Sequence, residues 1–345
     1  MSARPEVAAR PSGASPRRLV DLVFRVREFG IIAVLALLVI VTASIQSRFL
    51  SLQELRFVLT DTAVFALLAI GETMVVLTRN YDLSVGSVLG LSAFVSADTF
   101  GTHPGSPILL VFLIGLGIGI GCGVANGLLT TIGRVPSLVV TLATLYIIRG
   151  IDILVVGGGQ VVASSLPDAF LNIPQATVGG VPDLALVIAF AVAIVAYYLR
   201  SFRSGRDLYA IGSNPDAARL AGIPIARRVF TAFVLSGALA GIAGVLWAAQ
   251  YGTIDSTAGT GYELQVIAAV VVGSVVIFGG SGTVVGAALG ALLLNTINSA
   301  LYVLGISSYW DEAIAGLLLL SAIVLDRAIT VQLTAALRRR SRLGA

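Results

Sequence analysis

Long runs of apolar residues, separated by short polar segments, make up most of this 345-residue chain. A run of roughly 20 apolar residues can cross the hydrocarbon core of a bilayer, about 30 Å thick, as a helix. The third and eighth runs are short enough to form broken or tilted elements. The pattern predicts ten membrane-spanning helices, at approximately 29–47, 56–78, 83–100, 107–132, 137–156, 182–200, 229–250, 263–278, 283–303 and 309–326.

The composition supports this interpretation. Hydrophobic residues make up 57% of the chain and charged residues 12%, and the mean hydropathy is +0.97, far above that of a soluble globular protein. We therefore predict an all-α, polytopic membrane protein of about ten transmembrane helices. In the fourth run Gly115, Gly119 and Gly123 recur every four positions, with Gly117 and Gly121 offset, which indicates close helix–helix packing.

The arginines predict the orientation of these helices. All 22 basic residues are arginine, and only Arg48, Arg56 and Arg149 fall on the side opposite to the N-terminus. Because cytoplasmic loops are rich in basic residues, both termini are expected in the cytoplasm and residues 157–184 in an external loop. The predicted domains are a cytoplasmic tail at 1–28, a transmembrane domain at 29–327 with a polar cytoplasmic segment at 201–228, and an arginine-rich cytoplasmic tail at 328–345.

The absence of some residue types excludes several kinds of chemistry. A Walker A phosphate loop needs a lysine, and this chain has none, so it cannot be a P-loop ATPase by itself. The single Cys122 and the single His103 cannot form an internal disulfide or a Cys/His metal cluster. We therefore expect a chain that is not an enzyme, with no catalytic, metal-binding or cofactor-binding residues.

The polar stretch from Gly205 to Arg228 has its own helix start and stop signals. Asn214 is a suitable N-cap and Pro215 suits the first helical position, while Gly222 suits the end. The predicted helix is about two turns long, which is too short to be stable alone in water. It therefore needs a contact within the chain or with another subunit.

A second polar stretch, residues 78–87, lies at membrane depth between the second and third runs. Polar, non-helical backbone is tolerated there only when it is buried in protein or lines a wet cavity. Asp82 or Ser84 is expected to cap the third helix. The stretch is either a capped, broken helix that holds the fold or a gate on a translocation path, and both readings stay open. Glu72, an intramembrane carboxylate, is either functional or a packing residue.

Other polar side chains lie on the predicted helices. Arg149 and Asp152, three residues apart, are expected to neutralise each other. Uncharged donors and acceptors would suit a neutral, hydroxyl-rich solute, although each is also a typical interhelical hydrogen-bonding residue. The residues predicted to form the translocation path or gate are Asn80, Tyr81, Asp82, Ser84, Asn126, Thr141, Thr144, Asn295 and Asn298.

Several blocks of the chain, in order, resemble the permease subunits of ATP-binding-cassette importers for carbohydrates. TRNYDLSVGS at 78–87 is similar to that family's G-G-I-D-L-S-V-G segment, with Arg79, Asn80 and Tyr81 in place of the usual Gly-Gly-Ile. The resemblance continues through residues 125–150, 205–223 and 259–320. The T-R-N variant, GTGYE and YWDEAIAGL look closest to the autoinducer-2 and rhamnose branch.

This resemblance implies a type II-like importer permease fold in the bacterial inner membrane and a set of partners. They are a second permease subunit, identical or paralogous, an ATPase that is commonly a tandem of two domains, and an extracytoplasmic solute-binding protein. ATP and magnesium would be bound by the ATPase alone. Residues 214–222 would form the coupling helix that enters a cleft of the ATPase. The implied coupling residues are Gly212, Asn214, Pro215, Ala217, Ala218, Arg219 and Gly222.

An alternative function is an ion-coupled secondary transporter of a small polar solute. In that case Glu72, Asp82 and Asp152 would bind protons or cations. This alternative leaves the polar helix at 214–222 without a partner, so the importer permease is the preferred prediction.

Overall fold

The computed structural model describes residues 16–307 and 309–324, and these are almost entirely helical. A two-stranded antiparallel hairpin, β1 (Thr177–Val178) with β2 (Val181–Pro182), is the only paired-strand element within these ranges. Residues 309–324 are also helical, after a turn that follows α12. The named helices are α1 (Pro16–Ile45), α2 (Leu52–Val76), α3 (Val85–Thr102), α4 (Ile108–Thr131), α5 (Ser137–Val156), α6 (Asp168–Leu171), α7 (Asp183–Ser201), α8 (Arg203–Ser213), α9 (Pro215–Leu220), α10 (Ile225–Tyr251), α11 (Tyr262–Val272) and α12 (Val284–Val303).

Each of the ten predicted runs contains a helix, which confirms the all-α prediction. Within the part of the chain that the structure describes, six helices are long and apolar enough to cross a membrane alone: α2, α4, α5, α7, α10 and α12. The first helix starts at Pro16, well before the predicted 29. The predicted tail at 328–345 and the first half of the tail at 1–28 lie outside the described residues.

The eighth run forms a shorter helix than the sequence predicts. It was predicted at 263–278, but α11 ends at Val272, after 11 residues. Ser274 has a φ of 73°, in the left-handed region that a right-handed helix does not contain. The chain therefore leaves the helix at that point and crosses to α12 as irregular backbone, as expected for a broken element.

Two helices form the centre of the bundle. In the most apolar 18-residue window of each helix, 89% of the residues of α2 and 61% of those of α10 are buried, against 22% in α4 and 17% in α7. The helix α10 packs against α2, α3 and α4. The helices α4 and α7 therefore lie at the periphery, where their apolar side chains suit contact with lipid or another subunit.

The contact between α4 and α10 depends on small residues, as the four-residue glycine spacing predicts. A Cβ atom added at Gly119 would lie 2.0 Å from the carbonyl oxygen of Gly237, and one added at Gly115 would lie 2.9 Å from that of Gly241. The two offset glycines of α4 meet no described atom within 4 Å. The spaced glycines thus let the two backbones touch, which confirms the packing interpretation.

The bundle has two ends that matter for the site. At one end, called the loop end, residues 157–182 fold over the start of α2 and the end of α10, with Phe170 buried against Phe100 at a ring-centroid distance of 5.1 Å. At the other end, called the α9 end, α8 and α9 lie between α7 and α10. The helix α2, about 37 Å long at 1.5 Å per residue, connects the two ends.

Candidate functional site

The backbone between α2 and α3 is non-helical and inside the protein. After Val76 the chain turns, and Arg79 has a left-handed φ of 65°. The hydroxyl of Thr78 donates to the carbonyl of Val75 at 2.7 Å, and the side-chain amide of Asn80 donates to the Thr78 hydroxyl at 2.9 Å. Side chains of the chain itself therefore satisfy the polar groups that the break exposes.

Asp82 is the centre of a buried hydrogen-bond network. Its side chain is 1% exposed, and its Oδ1 accepts from the amide of Ser84 at 3.1 Å and from the hydroxyl of Ser84 at 2.6 Å. The hydroxyl of Ser236 on α10 donates to Oδ2 at 3.3 Å. Of the two capping residues that the sequence allows, Ser84 is at the N-cap position of α3, but its side chain makes no cap hydrogen bond. Asp82 instead binds the backbone amide of Ser84, the residue before the helix.

The network continues across α4 and α5. The side-chain amide of Asn126 donates to the hydroxyl of Ser84 at 2.8 Å and to Asp82 Oδ1 at 3.3 Å. The hydroxyl of Thr144 in turn donates to Asn126 Oδ1 at 2.8 Å. The structure thus brings together four residues predicted for the path or gate and adds one that sequence reasoning missed, Ser236. A serine in an apolar run has no signal that separates it from ordinary packing residues.

Glu72 belongs to the same cluster. It is fully buried, and its Oε1 accepts from the backbone amide of Asp82 at 3.1 Å. Its Oε2 has no hydrogen-bond partner among the residues described. Glu72 therefore links α2 to the backbone of Asp82, just after the break, and its Oε2 remains available as an acceptor.

Tyr81 lies between two neighbouring elements. Its amide donates to the hydroxyl of Ser137, and the hydroxyl of Thr141 donates to its carbonyl at 3.1 Å, so α5 holds its backbone. Its own hydroxyl donates to the carbonyl of Ile277, in the irregular segment after α11. The ring thus joins two non-helical segments of the bundle.

The predicted caps of α9 are confirmed. Asn214 Oδ1 accepts from the amides of Asp216 at 3.1 Å and Ala217 at 3.0 Å, and Pro215 opens the helix. At the other end the amide of Gly222, with a φ of 73°, donates to the carbonyl of Arg219. These bonds define a helix of six residues that begins and ends where the sequence indicates.

The two faces of α9 differ. Ala218 is 3% exposed and faces the chain's own interior, whereas Leu220 is 90% exposed. Asp216 and Arg219 form an exposed ion pair at 3.6 Å on the outer surface. Sequence reasoning missed Leu220, because its exposure depends on which face of α9 packs against the rest of the chain.

Two contacts fix the position of α8 and α9. Arg79 Nε donates to the carbonyl of Gly212, and its Nη2 donates to the carbonyl of Ser213 at 2.9 Å. A Cβ atom on Gly212 would lie 1.9 Å from the carbonyl oxygen of Leu77 and 2.2 Å from the amide of Gly280. The end of α8 is thus pressed against the break after α2 and against the segment after α11. We call the contact of Arg79 with Gly212 and Ser213 the latch.

An ion pair joins α8 to α10 at the α9 end of the bundle. Arg228 Nε on α10 lies 2.8 Å from Asp207 Oδ2 on α8, and both side chains are largely buried. A buried pair of this kind is costly to break, because the remaining charge would have no partner. It holds α8 against the start of α10.

The remaining predicted polar residues lie elsewhere. Asn295 and Asn298 on α12 contact Thr62 at 3.4 Å and Asp311 at 3.3 Å, away from the Asp82 network. Arg149 and Asp152 form the expected ion pair at 3.5 Å, and Arg149 also donates to the carbonyl of Ala258 at 2.6 Å. The predicted path residues therefore fall into two groups rather than one.

Arg149 binds the turn between α10 and α11 through the carbonyl of Ala258. The same turn contains Asp255, whose carboxylate accepts two hydrogen bonds from Thr257. The hydroxyl of Thr257 donates to Asp255 Oδ1 at 2.6 Å, and the amide of Thr257 donates to the same oxygen at 2.8 Å. These two bonds hold the pKa of Asp255 below its usual range. Asp255 is therefore charged at neutral pH and anchors the turn between α10 and α11.

Comparison with known proteins identifies the class of this chain. Residues 55–323 match the family described as branched-chain amino acid transport system / permease component. The chain is 37% identical over 303 residues to the autoinducer 2 import system permease protein LsrC of Enterobacter sp. (strain 638), a match that covers 88% of this chain and 87% of that protein. It is 36% identical over 313 residues to the proteins of the same name from Escherichia coli O9:H4 (strain HS) and Escherichia coli O157:H7, covering 91% of this chain and 90% of each.

No solved structure matches the chain. The family match spans residues 55–323, so it includes the break, α8, α9 and the segment after α11 together. The chain is thus a multi-pass inner-membrane protein that works with an ATPase and a solute-binding protein, as the resemblance predicted. It belongs to the branched-chain amino acid transport system / permease component family and is a permease subunit of an ATP-binding-cassette importer.

Proposed function

We propose that this permease carries autoinducer 2 or another neutral, sugar-like solute into the cell, driven by ATP hydrolysis on a separate subunit. The solute class is supported by relatives named as autoinducer 2 import permeases, which match about nine-tenths of the chain. The observation that carries the mechanism is the structure of α9. It is a capped helix that exposes Leu220 on its outer face and buries Ala218 on its inner face.

In this proposal α9 is the coupling helix. The ATPase would contact its exposed face, which includes Ala217, Arg219 and Leu220. Movement of α9 would pass to the end of α8 and, through the latch, to the break after α2. A rigid contact of this kind is what domain closure in one subunit needs in order to shift another.

The rest of the assembly follows from the same proposal. Two permease subunits, identical or paralogous, would enclose the path, and a tandem ATPase would provide the two nucleotide sites. Both termini and α9 would be cytoplasmic, which agrees with the concentration of arginines around α8 and α9. The loop end would then face the binding protein.

The Asp82 network is proposed to shape the break rather than to bind solute. Its members are buried and bonded to one another. Asn295 and Asn298 are instead proposed to face the solute. Of the three carboxylates that an ion-coupled transporter would use, Asp82 accepts from two serines and Asp152 pairs with Arg149 through one oxygen. Glu72 accepts through one oxygen from the backbone amide of Asp82. The second oxygens of Glu72 and Asp152 have no partner among the residues described.

A substitution of Leu220 by glutamate tests the coupling role of α9. We expect Leu220→Glu to lower copurification of the ATPase and to reduce ATP-driven uptake in proteoliposomes at least tenfold, because it places a charge in an apolar contact. The melting temperature of the isolated permease should not change, since Leu220 is 90% exposed.

The matched control is Val178→Glu, which puts the same charge on an exposed apolar residue of β1 at the opposite end. Uptake and ATPase binding by Leu220→Glu at the level of this control would rule out α9 as the coupling helix. Ala218→Glu is not equivalent, because Ala218 is buried and its substitution would disturb the seat of α9.

A further inference from the structure

A large cavity with both polar and apolar lining residues lies at the loop end of the subunit. Its volume is about 820 Å³, within the range of roughly 300–1,000 Å³ typical of small-molecule sites. The start of α2, the end of α10, the last turns of α12 and the loop at 174–182 form its wall. It is therefore at the end of α2 opposite to the break and the latch.

The wall carries side chains that can both donate and accept hydrogen bonds. The hydroxyl of Tyr251 donates to Asp61 Oδ1 at 2.6 Å, and the amide of Gln250 donates to the same oxygen at 3.4 Å. Gln250 Oε1 is buried and finds no partner in the ranges that the structure covers. An orphan acceptor of this kind costs free energy unless a ligand or water satisfies it.

The second side of the wall is formed by α12. Asn298 is exposed at the cavity, and Ser299 donates to Glu54 within the wall, which joins α12 to α2. Asn295 uses its amide nitrogen on Thr62, which leaves its oxygen for another donor. Amide and carboxylate groups from α2, α10 and α12 thus line one cavity.

The charges of the wall favour an uncharged ligand. The carboxylates of Glu54 and Asp61 are balanced by the guanidinium groups of Arg48 and Arg56. A site with no excess charge does not concentrate an ion of either sign. Tyr251 is stacked at a tilt on Trp247, with ring centroids 4.6 Å apart, and provides a rigid apolar surface beside the polar groups.

We propose that this cavity is a transient binding site for a neutral, polyhydroxylated solute after its release from the binding protein. The inference rests on the proposed function and names the site within the subunit. The solute hydroxyls would bind Gln250, Asn298 and Asp61, and its C–H face would lie on Tyr251. Because α2 connects Asp61 with Glu72 and the break, movement at the α9 end would reach the cavity through one helix.

The test uses the complete importer in proteoliposomes, with autoinducer 2 and L-rhamnose as probes presented on a saturating binding protein. Gln250→Ala removes an amide from the wall, and Asn298→Trp fills the space. We expect both to reduce uptake at least fivefold, while ATP hydrolysis stimulated by the loaded binding protein stays within twofold of the unmodified importer.

The matched controls are Gln160→Ala and Asn172→Trp, two exposed residues of the loop end outside the cavity wall. If Gln250→Ala does not accumulate in the membrane, Gln250→Glu replaces it, since it keeps the length and shape of the side chain. Uptake by the cavity variants equal to that of the controls would overturn the inference.

Two other outcomes are informative. If the cavity variants transport normally but lose the stabilisation that anionic lipid gives the unmodified protein, the cavity holds a lipid headgroup and the proposal is wrong. If the unmodified importer takes up neither probe with ATP, the proposed solute class fails. Normal uptake by the unmodified importer together with normal uptake by the variants contradicts only the cavity assignment.

Discussion

Arg79→Ala is expected to reduce ATP-driven uptake at least tenfold while the ATPase remains bound. Arg79 holds α8 by two hydrogen bonds, to the carbonyls of Gly212 and Ser213. Without them α9 would still bind its partner, but its movement would no longer reach the break after α2. Uptake in proteoliposomes, measured beside ATP hydrolysis, separates this uncoupling from loss of assembly.

Arg134→Ala is the matched control. Arg134 also follows a membrane helix and also has a left-handed φ, of 55°, so both substitutions change the same side chain in the same backbone conformation. Arg79→Lys should restore little activity, because an ammonium group cannot reproduce the two-pronged donation of a guanidinium. Uptake by Arg79→Ala within twofold of Arg134→Ala would show that the latch does not transmit force.

Asp82→Ala is expected to lower both stability and uptake. It removes the acceptor of the Ser84 amide, the Ser84 hydroxyl and the Ser236 hydroxyl, while Asn126 keeps its bond to Ser84. Each buried donor that finds no new partner costs about 1–3 kcal/mol. We expect a loss of at least about 3 kcal/mol, and a melting temperature lower by roughly 5–10 °C. Thermal unfolding in detergent and uptake in proteoliposomes measure the two effects.

Asp82→Asn separates a structural role from a role in the path. The amide keeps one acceptor oxygen in the same place, so most of the stability should return. If uptake returns with it, Asp82 shapes the break, as proposed. Normal stability combined with a tenfold loss of uptake would instead put its charge on the path, and a stable Asp82→Ala variant would contradict the network as a structural element.

Local signals in the sequence were sufficient for α9. Asn214, Pro215 and Gly222 act on amides and carbonyls within three or four residues, so their roles can be deduced from spacing alone. The glycines of α4 are a similar case, because a four-residue period defines one face of a helix. These features need no knowledge of which helices are neighbours.

Tertiary contacts could not be deduced in the same way. The bond from Ser236 to Asp82 joins residues 154 positions apart, and that from Arg79 to Ser213 joins residues 134 apart. The short helix also has a buried Ala218 and an exposed Leu220, and which side is buried depends on how α8 packs. For the same reason Asn126 and Asn298, equivalent as polar residues on apolar runs, lie in different parts of the subunit.

The end of α11 shows a third limit. Residues 273–278 are as apolar as the helix before them, apart from Gly273 and Ser274, so the hydrophobic pattern extends the helix to 278. The segment instead turns at Ser274 and provides the carbonyl of Ile277 to Tyr81. Apolar character alone cannot separate a helix from a buried irregular segment, because both exclude water.

A separate ATPase subunit, and not an ion gradient, drives this permease. The most direct measurement is solute accumulation in proteoliposomes that contain the permease, its ATPase and external loaded binding protein, energised either by internal ATP or by an imposed proton or sodium gradient. We expect accumulation with ATP and none with either gradient alone. Accumulation driven by a gradient in the absence of ATP would contradict this expectation.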